Sequence, residues 1–354
     1  MNIRQVAKAA GVSSATVSRV FTRSAPVDPQ TEHRVHKAAK QLGYFPNTYA
    51  RILSSGKSYT YGLIISDITN PFFPDLVKLF ERHALEYDYE TLVVDTDYDL
   101  KRMEQCVRRL LEHKVDGVAI MTSEMEPKLI QILSRRDIPL VFLDTGKVGR
   151  NISNITIDYE HGIALAIDHL LQLGHERIAL IQGPPTLKSA VTRRNAFISS
   201  LKRQNITLRR EYIRTGNHGV DGGQAAMNEL LDLPSPPTAV MCSNDLTAIG
   251  ALDAAYTRGV QVPSELSLIG FDDIQLSGLM QPPLTTIRVS RVEIALRAFM
   301  ALYDAIPGSR KRTANHIIAT ELIARRSTAP PPKPSGESQS TKHTVGVRSA
   351  QNKN

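Results

Sequence analysis

The sequence predicts an α/β protein, with an all-α helix-turn-helix head at the N-terminus and a two-lobed body of parallel sheets behind it. Three observations predict this. Residues 3–22 carry two short amphipathic stretches separated by a lone glycine. The first sixty residues hold nine lysines and arginines against two acids, so +7 of the chain's net +8 is concentrated there. From Tyr61 onward, short apolar runs alternate with amphipathic stretches of helical length. Near-continuous apolar strands separated by helices belong to parallel sheets covered on both faces. There are too many strand–helix units for one small sheet, so two similar lobes are expected.

In the head, Ile3, Val6, Ala7 and Ala10 fall at i, i+3, i+4 and i+7, one face of a helix. Gly11 ends that helix, because glycine readily takes the left-handed conformation of a C-terminal cap. Ser13 caps a second helix with its hydroxyl. Val17, Val20 and Phe21 form the buried side of that helix, leaving Ala15, Ser18, Arg19 and Thr22 on the open side. A face that was merely solvated would favour Glu and Lys, which are better helix formers than Ser and Thr. Small hydroxyl side chains instead let the backbone approach a surface, and the surrounding positive charge makes that surface DNA. A third helix fits Pro29 to Leu42. Asp28 caps it, Pro29 takes its first turn, Val35, Ala38, Ala39 and Leu42 form its buried stripe, and Gly43 ends it.

Pro46-Asn47 then starts a short helix reaching Leu53, followed by a Ser/Gly/Lys linker. A helix this short is unstable alone and forms only when something packs against it. The expected organisation is a head over residues 1–46, a hinge helix and linker over 47–60, a body over 61–328 and a tail over 329–354. The tail lacks periodicity and aromatic residues and is expected to be disordered. In the body, "GLIIS", "TLVVD", "GVAIM", "PLVFLD", "RIALIQG", "TAVMCS" and "LSLIGF" read as strands. Residues 100–113, 159–173 and 191–204 read as helices, and "LTTIRVS" and "NHIIATELIA" as segments crossing back between the lobes.

Ligands of open α/β sheets sit beyond the carboxyl ends of the strands. Here those ends hold Asp67 to Asn70, Asp95 to Asp97, Asp144-Thr145, Gly216 to His218, Ser243 to Asp245 and Phe271 to Asp273. Short acids and amides converging between two lobes suit a polyhydroxylated ligand, because a carboxylate accepts hydroxyl protons on two oxygens. Asp and Asn after strands also serve as turn residues and helix caps, which is the expected role for most of these positions.

Other classes are set aside. A hydrophobic content of 42% with 22% charged residues is that of a soluble globular protein, and no apolar run is long enough to span a membrane. The chain opens directly on a polar amphipathic helix rather than a secretory signal, so a cytoplasmic protein is expected. On that expectation the sequons at Asn151, Asn154 and Asn205 carry no weight. Cys106 and Cys242 lie far apart within apolar runs and fit reduced core residues. "SSGKS" ends like a phosphate-binding loop, but Arg51 stands where the loop needs glycine and no strand precedes it. There is no dinucleotide fingerprint, nucleophile elbow or zinc-binding pattern, and His175 reads as structural. An enzyme, a cofactor and a metal are therefore not expected. The basic head and the missing signal argue against an exported solute-binding protein.

The segments "IRQVAKAAGVSSATVSRVF", "GYFPN", "ARIL", "HLLQLGHERIALIQGP", "PTAVMCSNDLTAIGAL", "LSLIGFDD" and "PPLTTI" run in this order between Asn2 and Ser327. Together they resemble the lactose/galactose repressor family. The resemblance implies a bacterial transcription regulator with a periplasmic-binding-protein-like body that responds to a small effector between its lobes. It implies that Ser14 and Ala15 read bases in the major groove, with Arg19 one turn beyond Ala15 on the same face. Ser13, Thr16 and Ser18 are expected to hold phosphates. Leu53 matches the family's hinge leucine, which wedges into the minor groove, and Ala50 and Leu53 would pack two hinge copies together.

For the effector, Arg193 and Asp272 match the family's ligand-binding arginine and aspartate. Asn70, Phe72, Asp95, His218 and Asn244 are further candidates at the other strand ends. Leu187 stands where purine-responsive members have a second ligand arginine, so a carbohydrate is expected before a purine. A nucleoside or a protein partner is the alternative. The expected partners are a pseudo-palindromic double-stranded operator and a second copy of the chain, because so small a head spans one half-site. The last twenty-six residues hold four prolines and no heptad, which predicts a homodimer rather than a tetramer. No membrane partner is expected.

Overall fold

In the computed structural model, which describes residues 1–22, 25–45, 56–122, 127–135, 138–146, 148–305 and 313–333, the head helices start and stop on local caps. Helix α1 (Ile3–Ala10) opens with a capping box: the Asn2 side chain accepts from the Gln5 N–H while Gln5 Oε1 accepts from the Asn2 N–H at 2.9 Å. Gly11, at φ 66°, closes it. Helix α2 (Ser14–Thr22) starts on Ser13, whose Oγ accepts from the Thr16 N–H at 3.1 Å. Helix α3 (Pro29–Leu42) starts on Asp28, which accepts from the Thr31 N–H at 3.0 Å, and ends at Gly43. Val6, Val17 and Val35 are fully buried and pack with Val20 and four alanines into a small core belonging to the head alone.

Thr22 corrects the expected open face of α2. It is buried, and its hydroxyl donates to the Ser18 carbonyl at 2.8 Å. A threonine whose hydroxyl is satisfied one turn back can turn its methyl inward. Ala50 and Leu53 lie outside the described residues.

The first lobe is built from β1 (Thr60–Ile65), α4 (Phe72–Glu86), β2 (Glu90–Asp95), α5 (Leu100–Glu112), β3 (Gly117–Met121), α6 (Pro127–Ser134), β4 (Leu140–Leu143) and β5 (Ile152–Ile157). The chain then crosses to the second lobe. There it forms α7 (Tyr159–Gln172), β6 (Ile178–Gln182), α8 (Lys188–Arg203), β7 (Ile213–Thr215), α9 (Val220–Leu231) and β8 (Ala239–Cys242). The same lobe continues with α10 (Asp245–Thr257), β9 (Ser267–Asp272) and β10 (Thr285–Val289). A second crossing returns α11 (Arg291–Tyr303) and β11 (Asn315–Ile318) to the first lobe, and a third places β12 (Thr320–Ile323) in the second.

The sheet orders are β2-β1-β3-β4-β5-β11 and β7-β6-β8-β9-β10-β12, one topology used twice. Strand pairs are parallel except β10 with β12. Only Ala319 separates β11 from β12, so the chain passes from one sheet directly into the other. Helices α4 and α11 pack together on the first lobe, α9 and α10 on the second.

Two strands were not legible in the sequence. Strand β5, "ISNITI", is polar yet largely buried. Asn154 within it is fully buried; its Oδ1 accepts from the Thr145 and Gly146 N–H groups, and its amide donates to Asn315 Oδ1 on β11. Strand β7 is a three-residue edge. The tail is also corrected at its start: Ala329 is docked, its N–H donating to Ser267 Oγ at 3.0 Å and its carbonyl accepting from the same hydroxyl. A backbone group paired at the sheet margin in this way is ordered. Residues 334–354 lie outside the described residues. Cys106 and Cys242 are both free and buried. Among the described residues no helix is long and apolar enough to cross a membrane, and no His/Cys/Asp/Glu cluster could hold a metal ion.

Candidate DNA-binding face and interlobe cleft

On the head, α2 turns Val17 and Val20 into the core and leaves Ala15 and Arg19 exposed. Ser13 is also exposed, while Ser14, Thr16 and Ser18 are half-buried. The hydroxyls of Ser13 and Thr16 lie 2.9 Å apart and bond to each other, so the cap is stiffened before anything binds. Arg4, Lys8, Arg34, Lys37 and Lys40 are all exposed, which keeps the head's positive charge at its surface.

Within the body, Asn70, Phe72, Arg193, His218, Asn244 and Asp272 line one cleft between the lobes. Asp272 ends β9 at φ 113°, a region that non-glycine residues rarely enter. Such strain costs on the order of 1–3 kcal/mol and persists where the surroundings over-determine it. Here the ladder to Arg288 and a hydrogen bond from Arg291 to the Asp272 carbonyl at 2.9 Å hold it. Burial pushes the Asp272 carboxyl up to about 6, against the opposing pull of Arg193 and Arg291.

Arg193, on α8, brings its NH2 to 4.0 Å from Asp272 Oδ1 and donates NH1 to the Ser243 carbonyl. Its guanidinium carbon lies 4.5 Å from the Phe271 ring centroid and 5.1 Å from that of Tyr159, a cation within reach of two neighbouring aromatic rings. Burial works against this charge, but Tyr159 and Asp272 outweigh it and hold the guanidinium's pKa above its ordinary value. His218 is the opposite case: burial, helped by Arg193, pushes its pKa down to about 3, so the ring is neutral. Its Nδ1 lies 3.2 Å from Ser243 Oγ. That contact is not a nucleophile–base pair, because so weak a base takes no proton from serine near neutral pH.

Asn70 and Asn244 reach the cleft while also holding local backbone. Asn70 Oδ1 accepts from the Phe72 N–H at 3.1 Å in the turn before α4, and Asn244 caps α10, its Oδ1 accepting from the Thr247 N–H at 2.9 Å. Asp95 is not brought to the cleft lining. It accepts from the Ile68 N–H and pairs with Arg102 at 3.3 Å, because β2 is the edge strand of its sheet.

Sequence reasoning named Asp144 only as a strand end and did not select Tyr98 or Tyr159; all three also line the cleft. Tyr159 Oη donates to Asp144 Oδ2 at 2.7 Å, and the Ile157 N–H donates to the other carboxylate oxygen at 2.9 Å. Burial nevertheless raises the Asp144 pKa. From the second lobe, Lys188 Nζ donates to the Asp144 carbonyl at 2.6 Å. An aromatic residue opening the helix just after a strand was the available signal for Tyr159. The cleft between the lobes leaves about 550 Å³ of empty space, part of it open to solvent.

A helix-turn-helix head and a two-lobed body with a polar cleft define the class: helix-turn-helix transcription regulators with a periplasmic-binding-protein-like, ligand-binding domain. Residues 2–47 match the model of bacterial regulatory proteins of the lacI family, and residues 167–328 match the periplasmic binding protein-like domain. The HTH-type transcriptional repressor CytR of Escherichia coli K12 is 34% identical over 327 residues, covering 92% of this chain and 96% of that protein. The lac repressor dimer bound to operator and the anti-inducer ONPF superposes with a TM-score of 0.80 at 27% identity, over 93% of this chain and 99% of that one. The regulator CelR in complex with cellobiose gives 0.69 at 27% identity, over 92% and 99% of the two chains. The chain belongs to the lacI family, whose matching members here are DNA-binding transcriptional repressors rather than enzymes.

Proposed function

We propose that this chain is a non-enzymatic, dimeric repressor whose operator affinity is set by a small carbohydrate bound between the lobes. The observation that carries this reading is the pairing of half-buried Arg193 with buried Asp272 at the cleft, which Phe72 also lines from the other lobe. A carboxylate and a guanidinium side by side offer acceptors and donors to vicinal hydroxyls, and an aromatic face covers the apolar side of a sugar ring. The cellobiose held by CelR supports the same class of ligand. In the head, Ser14, Ala15 and Arg19 read bases, while Ser13, Thr16 and Ser18 hold phosphates that fix register. The hinge at residues 47–60 folds on the operator, where Leu53 would unstack a base step from the minor groove.

The test is a thermal-shift and calorimetric screen of aldopentoses, aldohexoses, disaccharides and nucleosides, followed by operator titration with each ligand that binds. A sugar that stabilises the chain and changes operator affinity is expected. Asp272→Ala should keep operator binding and lose that response. Stabilisation by nucleosides alone, or a stoichiometric protein co-purifying with the chain, would replace the carbohydrate reading.

A further inference from the structure

The chain crosses between the lobes three times, and at two crossings the first residue of the next helix reaches back to the lobe just left. Tyr159 opens α7 in the second lobe and donates to Asp144 of the first. Arg291 opens α11 in the first lobe and donates NH1 to the Asp272 carbonyl at 2.9 Å and NH2 to the Asp273 carbonyl at 3.0 Å, both in the second. Its Nε lies 3.4 Å from Asp75 Oδ2 on α4, and its guanidinium carbon 5.7 Å from the Phe72 ring centroid.

We propose that Arg291 is a positioning residue of the cleft: it holds Asp272 of one lobe and Phe72 of the other in fixed relation before any ligand binds. This rests on the reading of the cleft as the effector site.

Three features support it. A cation at the first position of a helix opposes the helix dipole, which favours negative charge at that end. The arginine is therefore misplaced for helix stability, and its partners across the cleft account for it. Second, a guanidinium fork can meet two successive carbonyls and still offer Nε to a carboxylate, whereas an ammonium cannot span that geometry. Third, what Arg291 grips is rigid. The Asp273 carboxylate is locked by Arg288 at 2.7 Å and by Arg325 at 2.6 Å, so the 272–273 backbone is anchored to the second lobe. The carbonyl held by NH1 belongs to the residue at φ 113°, the one whose carboxyl faces Arg193.

The test uses the full-length, ligand-free chain and the variants Arg291→Ala, Arg291→Lys and Asp75→Asn, followed by amide hydrogen exchange. Arg291→Ala should accelerate exchange at least tenfold in both Phe72–Asp75 and Asp272–Ile274, while Leu268–Gly270 in the β9 core keeps parental protection. Arg291→Lys, which retains charge but not the fork, should accelerate both segments at least threefold. Asp75→Asn should loosen the first-lobe segment alone. Parental exchange in either segment of Arg291→Ala, or full rescue by lysine, would overturn the proposal. If Arg291→Ala does not fold, the lysine and Asp75 variants decide it by the same criteria. No ligand enters these measurements, so their failure removes the clasp and leaves the effector reading standing. Failure of the ligand screen does the reverse.

Discussion

The imidazole of His218 stands directly over the α-carbon of Gly183: a Cβ added there would lie 2.1 Å from His218 Cε1 and 2.3 Å from Nε2. The two residues follow the adjacent parallel strands β6 and β7, so their proximity is set by sheet pairing rather than by either segment alone. Only glycine lets the ring lie flat against the strand end and keep its contact with Ser243. Gly183→Ala should displace His218 into the cleft, weaken effector binding at least tenfold and cost about 1–3 kcal/mol of stability from overpacking. Urea unfolding and ligand titration measure both effects, and parental values in each would show that the ring has room to move.

The raised carboxyl of Asp272 makes stability depend on pH in a defined window. Its folded pKa is about 6, above the ordinary value of about 3.9 that it recovers on unfolding. The native state therefore binds the proton more tightly, and the residue's contribution falls as pH rises from about 4 to about 6. Asp272→Asn removes this titration. Parental stability minus that of the variant should drop by roughly 3 kcal/mol across the window and stay flat above it. Unfolding curves between pH 4 and 7 provide the measurement. A difference that does not vary with pH would mean that burial does not govern this carboxyl.

His175 is a buried hub rather than a ligand. Its Nδ1 lies 2.9 Å from Thr238 Oγ1, and its Nε2 lies 3.0 Å from Ser267 Oγ and 2.8 Å from the Ala329 carbonyl. His175→Ala should cost about 1–3 kcal/mol by stripping partners from buried polar groups. Burial lowers the pKa of this histidine, so the stability it contributes is lost as pH falls below about 6.5. Removing residues 334–354 should change neither melting temperature nor sedimentation. A large effect of that truncation would give the distal tail a structural role.

Arg19, exposed on the open face of α2, should discriminate one base pair of each operator half-site. Arg19→Ala should erase about 1–3 kcal/mol of preference at that position. Removing the hydroxyl of Ser18, proposed above to hold a phosphate, should instead weaken all sequences alike, because phosphate contacts carry no base information. Selection from randomised operators separates the two patterns. Unchanged preferences in Arg19→Ala would move base reading elsewhere on the head.

The head was legible because its determinants are local. Helical periodicity, a glycine stop and side-chain caps act within a few residues, and Asp28, Ser13 and Gly43 serve as their positions suggest. The alternation of strands and helices announced two parallel sheets for the same reason. Strand order is not local, and it decided which strand ends meet. Asp95 ends an edge strand and pairs with Arg102, whereas Asp272 ends an interior strand and faces Arg193. Strand β5 escaped notice because Asn154 is satisfied by Asn315, 161 residues further along the chain. Tyr159 reads as an ordinary helix start until the crossing sets it against Asp144 of the opposite lobe. A residue's type limits the bonds it can make, but the folded chain alone brings distant partners within the few ångströms at which those bonds exist.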